Sequence, residues 1–225
     1  MVNKTYQARY IFSNNESKIV NCLVSVLVGG KGRRMGFFDK PLLKICGKRI
    51  IDRILAEMSK FSISIVCRQD NIKKYNEIAK KFKAKILVDL IDGIGPMGGI
   101  YTALTEGSTV IIGGDMPFVK SEVVEFLYKT GIKKNCDALI PEWENGKKEP
   151  LLAYYSRTSI HAFEEAIQKK EFKIMRAVER MNDVEFINIE RIRRIDRKLI
   201  SFFNINRLDD LKRAEKICSL IDLEE

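Results

Sequence analysis

Short apolar runs alternating with amphipathic segments constrain this chain more than any other feature of it. "IVNCLVSVLV" (Ile19 to Val28) is nearly continuous in apolar residues and stops at Gly29-Gly30, as a strand covered on both faces does. "RIIDRILAEMSK" then places Ile50, Ile54, Leu55 and Met58 at helical spacing. The pattern recurs as strand Ser62 to Cys67, helix "NIKKYNEIAKKF" and strand Lys85 to Val88. A loop "DLIDGIGP", helix "MGGIYTALTEG", strand Thr109 to Gly114 and helix "SEVVEFLYKT" continue it. "DALIPEW" and "EPLLAYYS" read as strands around a turn at Asn145-Gly146. Helical segments, the apolar stretch "LISFFNIN" and a last helix from about Leu208 close the chain. This alternation predicts an α/β fold of three layers, α/β/α, with a mostly parallel central sheet. Ligands of such sheets bind beyond the carboxyl ends of the strands. Segments starting at Gly29, Asp89 and Gly113 each occupy such an end.

A length of 225 residues suits one domain, taken as 18–225 after a polar extension over 1–17. The formal net charge of +10 favours an acidic ligand. "IERIRRIDRK" (Ile189 to Lys198) concentrates that charge and reads as a solvated face or a nucleic-acid arm. Few clustered aromatics are present for base stacking, so no nucleic-acid partner is expected. The five cysteines have no metal-ligand spacing, and their odd count argues against a disulfide framework. The lone histidine, His161, lies in the amphipathic pattern "SIHAFEEAIQ" and reads as structural. It leaves no Cys/His zinc cluster and little basis for a Ser-His nucleophilic pair. The N-terminus is too polar for a signal sequence, and no apolar run reaches the ~20 residues that span a bilayer. No membrane association and a cytoplasmic location are expected.

"SVLVGGKGRRMGFFDKPLL" (Ser25 to Leu43) runs from strand into glycines and basic residues. It lacks the Gly-Lys-Ser/Thr of a P-loop. Gly30-x-Gly32 is followed by Gly36, one position late for a dinucleotide fingerprint. What remains is a loop whose glycines let backbone N–H groups approach an anion, with charge from Arg33, Arg34 and Lys40. A glycine loop alone reads equally as a surface turn.

The segment as a whole is more specific. Leu27-Val28-Gly29-Gly30, Arg34-Met35-Gly36 and Asp39-Lys40 resemble the signature of the nucleotidyltransferases of the glycosyltransferase-A-like superfamily. Within it the segment is most similar to the molybdenum cofactor guanylyltransferases, with Val28 where alanine is usual. Gly95-Pro96 and Gly99 resemble that family's G-P-x-x-G loop, and "GDMPFV" its C-D-M-P-F segment, with Gly114 for cysteine. "FFNINRLDDL" resembles the F-x-N-x-N-T-P-E-D-L close, aligning Asn204 and Asn206. Cys67 stands where the family often has asparagine. The likeness covers most of Val20 to Leu211.

The resemblance implies a Rossmann-like nucleotidyltransferase fold and transfer of GMP from GTP to the terminal phosphate of molybdenum-bound molybdopterin, releasing pyrophosphate. It implies Mg²⁺ on Asp115, phosphate contacts from Lys40 and Arg34, and nucleotide contacts from Leu27, Val28, Gly29, Gly30, Asp89, Gly95, Pro96, Asn204 and Asn206. It also implies transient contacts with cofactor-biosynthesis or molybdoenzyme partners. Three other readings stay open: a guanylyltransferase acting on another phosphorylated acceptor such as cobinamide phosphate, a catalytically silent GTP-binding regulator, and a basic nucleic-acid-binding module. Read singly, Asp115 is equally a turn aspartate, Asp89 is more readily one, and the two asparagines could satisfy a turn's backbone.

Overall fold

The computed structural model describes residues 22–29 and 39–221. The expected extension over 1–17, and Gly30 and Arg34 of the glycine segment, lie outside the described residues. Seven strands form one sheet in the order β5-β4-β1-β6-β8-β7-β9. They are β1 (Leu23–Leu27), β4 (Ser62–Cys67), β5 (Lys85–Val88), β6 (Thr109–Gly113), β7 (Ala138–Glu142), β8 (Leu152–Tyr155) and β9 (Val184–Asn188). Only β8 runs against its neighbours; it pairs antiparallel with β6 and β7, and the other pairings are parallel. The mostly parallel sheet expected from the alternation is therefore present. A small hairpin of β2 (Lys44–Ile45) and β3 (Lys48–Arg49) stands apart from it.

Side-chain alternation along the strands divides the interior into two cores. Val24, Val26, Ile63, Ile65, Val110 and Ile112 face α1 (Ile50–Glu57), α2 (Ile72–Phe82) and α4 (Ser121–Lys134). Leu27, Val66, Ile111 and Tyr155 face α3 (Pro96–Glu106), α5 (Ile160–Gln168) and α6 (Ile174–Val178). Helices on both faces of the sheet give the three layers, and continuous burial of β6 explains its unbroken apolar run. Polar exceptions inside the sheet are mutually satisfied. Ser25 Oγ lies 2.9 Å from Ser64 Oγ and 3.0 Å from Thr109 Oγ1, and Thr109 also donates to the Leu23 carbonyl.

Strands β4 and β5 have the bounds read from sequence. The edge strand β9 is not apparent in the sequence, because Glu185 and Asn188 interrupt its apolar pattern and Phe186 is exposed. Within the basic run, Ile189 and Ile192 of α7 (Ile189–Arg193) are buried while Arg191, Arg193 and Arg194 are exposed. The run is thus a solvated face on a buried stripe. Cysteine pairing departs from expectation: Cys46 and Cys218 form a disulfide. Their 172-residue separation hides the pairing from any spacing argument. The β2–β3 turn and α8 (Leu208–Ile221) bring them together, while Cys22, Cys67 and Cys136 remain free and buried. His161 lies exposed on the solvent face of α5, its Nδ1 3.2 Å from Glu164 Oε2, and is not packed into the core.

Candidate active site

The sheet order sets the location. From β1 the chain moves outward to β4 and β5, then returns to the other side of β1 with β6. The carboxyl ends of β1 and β6 therefore flank the point where strand order reverses, the usual ligand crevice of an open α/β sheet. Leu27 is in register with Val66 and Gly113, so the ends of β4, β1 and β6 are level. Gly29 leaves β1 there, exposed. Gly113 N–H donates to the Leu151 carbonyl at 2.9 Å, which adds the start of β8 to the same rim.

Lys40 and Asp115, 75 residues apart, meet at this rim with Lys40 Nζ 3.3 Å from Asp115 Oδ2. The ammonium also donates to Asn206 Oδ1 at 3.4 Å. Side-chain exposures of 22% and 24% leave both charges open to a ligand. Three local structures bring them together. Lys40 opens a 3-10 turn, Lys40–Leu42, in which Pro41 presets the backbone. Asp115 sits in the turn after β6, whose neighbour Gly114 donates to the Leu27 carbonyl at 2.9 Å. The tail is anchored by Ile205 N–H donating to the Asp115 carbonyl at 2.9 Å.

Two departures from the family pattern touch each other. A Cβ at Gly114 would lie 2.7 Å from the Leu27 carbonyl oxygen, 2.9 Å from Pro41 Cγ and 3.3 Å from Val28 Cγ1. The larger residue at 28 and the absent side chain at 114 thus share one space. Leu27 itself turns its side chain into the core against α3, and its carbonyl is occupied by Gly114. Val28 is buried likewise.

Asp89 leaves β5 with its N–H donating to the Cys67 carbonyl at 2.8 Å. Its Oδ1 accepts from Ile91 N–H at 3.1 Å, and from the Thr102 hydroxyl at 3.5 Å. Burial raises its carboxyl above the ordinary range, Asp92 adding to the rise while Ile91, Thr102 and Arg68 oppose it. Asp89 therefore shapes the 89–95 loop while standing at the crevice. The start of α3 rests directly on it: a Cβ at Gly98 would meet Ile91 O at 2.6 Å and Asp89 Oδ1 at 2.8 Å. Gly95, at φ +71°, and Pro96 at the first turn let the loop enter this helix. Gly95 and Pro96 are exposed at the start of α3, while Met97, Gly98 and Gly99 behind them are buried, so what this end brings toward the crevice is the positive pole of the helix dipole.

The two asparagines differ. Asn204 Nδ2 donates to the Phe202 carbonyl at 3.0 Å and serves its own turn. Asn206 reaches Lys40, while its N–H and that of Arg207 donate to Asp210 Oδ2 at 2.9 Å each, capping α8. Cys67, at the end of β4, is fully buried, and burial pushes its thiol up to about 11.

One positioning contact gave no sequence signal. Tyr75 on α2, fully buried, donates to Asp39 Oδ1 at 2.6 Å, and Lys74 lies 3.5 Å from Oδ2. Asp39 is thereby held against α2 while the adjacent Lys40 turns toward Asp115. Burial and Asp39 together raise the Tyr75 phenol, which stays protonated and donating. Tyr75→Phe keeps the ring and removes the donor. It is expected to lower unfolding stability by about 1.5–3 kcal/mol, the usual worth of a hydrogen bond to a charged group. Urea denaturation with an unchanged m-value reads that loss; an unchanged midpoint contradicts it.

Among the described residues no three or more His, Cys, Asp or Glu side chains gather to hold a metal. Asp115 nonetheless fits Mg²⁺, which is commonly held by one or two carboxylates together with substrate phosphates rather than by a protein cage.

Residues 24–184 match the model of the MobA-like NTP transferase domain. The chain is similar to the crystal structure of molybdopterin-guanine dinucleotide biosynthesis protein A from Archaeoglobus fulgidus, at 45% identity and a TM-score of 0.79, covering 88% of this chain and 98% of that one. It is 34% identical over 196 residues to a probable molybdenum cofactor guanylyltransferase of Methanosarcina mazei, covering 83% of this chain and 87% of the relative. A protein of the same description from Thermococcus gammatolerans is 36% identical over 196 residues, with 85% and 98% covered. The matched span runs from β1 into β9, and so includes Gly29, Lys40, Asp89 and Asp115. With its three layers, its strand-end crevice and these likenesses, the chain belongs to the MobA-like NTP transferase family.

Proposed function

We infer that this chain is a molybdenum cofactor guanylyltransferase, transferring GMP from GTP to the terminal phosphate of molybdenum-bound molybdopterin in the cytoplasm. The observation that carries the reading is the meeting of Lys40, Asp115 and Asn206 across the β1/β6 crevice, in a chain so similar to relatives bearing that name. An oxygen of the acceptor phosphate attacks the α-phosphorus of GTP. The bond from that phosphorus to the β-bridging oxygen breaks, and its electron pair leaves with pyrophosphate.

The chemistry needs little proton traffic. A phosphate monoester with a second pKa near 6 is roughly nine-tenths dianionic at pH 7. Such a nucleophile requires no general base, in keeping with His161 lying on α5. Charge is the larger obstacle, since two unit charges 4 Å apart cost about 4 kcal/mol at an effective dielectric near 20. Lys40 offsets that repulsion at the phosphates, and the positive end of the α3 dipole adds to the offset. Mg²⁺ bound at Asp115 would neutralise phosphate charge and favour departure of pyrophosphate. Gly29 lets the chain's backbone lie close to the nucleotide, and Asp89 with Gly95-Pro96 borders its nucleoside. No helix among the described residues is long and apolar enough to cross a membrane.

The acceptor is tested by pyrophosphate release from GTP with molybdenum-bound molybdopterin or cobinamide phosphate. Release that requires the pterin is the expected result. Release only with cobinamide phosphate, or with neither acceptor, contradicts the reading.

A further inference from the structure

Arg68 follows the last residue of β4 and so leaves the sheet at the same rim as Gly29, Asp89 and Asp115. Its stem lies against the glycine segment: a Cβ at Gly29 would be 3.9 Å from Arg68 Cγ. Carboxylates hold its guanidinium from both sides. Nε and Nη2 donate to Asp70 at 3.2 and 3.1 Å, and Nη1 lies 3.0 Å from Asp92 Oδ1 in the loop after β5. The side chain is 21% exposed, whereas Asp70 and Asp92 are 63% and 59% exposed. Solvated surface arginines need no such double clamp, and exposed pairs of this kind contribute little stability. The clamp instead fixes a planar donor fork at one wall of the crevice.

The opposite charges are arranged around it. Lys40 and Asp115 mark the phosphate side of the crevice, so the β4 and β5 ends lie where the nucleoside extends. Guanine presents acceptors at O6 and N7, and donors at N1 and the exocyclic amine. Arginine is the side chain that most often meets O6 and N7 together. Three of the five N–H donors of Arg68 are directed at Asp70 and Asp92, which leaves two to face a ring edge. Asp89 and Asp92 supply acceptors nearby. Adenine puts a donor at the O6 position and would meet this fork unfavourably.

We propose that Arg68 selects the base of the nucleotide by donating to the O6 and N7 atoms of guanine, held for that task by Asp70 and Asp92. This rests on the guanylyltransferase reading for the presence of a nucleotide in the crevice.

The test measures binding, so it requires no acceptor. A GTP labelled on its ribose is displaced from the full chain by GTP, 7-deaza-GTP (no N7 acceptor) or ATP, with Mg²⁺ present. The wild-type chain is expected to bind GTP about tenfold tighter than 7-deaza-GTP, and on the order of tenfold to a hundredfold tighter than ATP. Arg68→Met keeps the stem beside Gly29 and is expected to abolish both preferences by weakening GTP alone. Arg68→Lys keeps the charge between Asp70 and Asp92 but not the fork. It is expected to remove the 7-deaza difference while retaining the unfolding midpoint. If either variant weakens all three nucleotides by one common factor, Arg68 only holds the 89–95 loop and the proposal is overturned. Equal binding of GTP and 7-deaza-GTP by the wild-type chain overturns it as well. Failure of the wild-type chain to bind labelled GTP sinks the guanylyltransferase reading itself, and the proposal with it.

Discussion

Lys40→Ala lowers the rate of GMP transfer by about 10²–10³-fold, the loss typical when one preorganised charge-stabilising donor is removed. The unfolding midpoint hardly moves. These two expectations follow from the same geometry. Lys40 Nζ is 3.3 Å from Asp115 and 3.4 Å from Asn206, at partly open positions. In water-accessible surroundings such a pair contributes about 0–1 kcal/mol to stability. With a triphosphate in the crevice, water is displaced and the same ammonium faces several negative charges at low screening. Its value to the charged reaction then far exceeds its value to the fold. The 3-10 turn is held by backbone bonds and by Pro41 rather than by the lysine side chain. Steady-state rates and urea denaturation on the one variant check both halves. Full turnover removes Lys40 from the mechanism, and a large loss of stability would make it a structural residue.

Asp115→Asn weakens Mg²⁺ binding in the nucleotide complex by about 10²-fold or more, because a neutral amide replaces the carboxylate that a hard cation prefers. The substitution preserves shape, and the backbone carbonyl of residue 115 still accepts from Ile205 at 2.9 Å. The tail therefore stays anchored and Asn206 stays at the rim. Titration of Mn²⁺ by electron paramagnetic resonance, with GTP present, reads metal occupancy without turnover. An unchanged Mn²⁺ isotherm contradicts the assignment of Asp115 as the metal carboxylate. Loss of Mn²⁺ binding together with loss of folding would point instead to the role of Asp115 as the hub joining Lys40 to the tail, and the melting curve separates the two.

Legibility in the sequence followed burial. Ser62–Cys67 stands out because an interior parallel strand is apolar on both faces and bounded by polar residues, and Lys85–Val88, although it is the opposite edge strand, because Ile86, Leu87 and Val88 run unbroken between Lys85 and Asp89. The edge strand Val184–Asn188 does not, since one side faces solvent and a polar pattern there is compatible with helix or loop. The β2–β3 hairpin contributes two residues from each strand and has no period to detect. At the site, Gly29, Lys40, Asp89 and Asp115 were legible through local motifs at strand ends. Contacts between distant segments were not. Tyr75 reads as one more apolar position of α2 until Asp39 is found against its hydroxyl. Arg68 reads as a loop cation until Asp92 is brought beside it. The separate tasks of Asn204 and Asn206 depend on a turn whose geometry the sequence does not carry. Cys46 and Cys218 are the extreme case, joined only because α8 returns to the hairpin.

Labelled GTP follows the transferred group itself. With GTP carrying label at the α-phosphate or at the γ-phosphate, and molybdenum-bound molybdopterin as acceptor, GMP transfer leaves α-label in the pterin dinucleotide and γ-label in pyrophosphate. Release of γ-label as orthophosphate with no α-label on the pterin would show a GTP hydrolase or regulator and contradict guanylyl transfer.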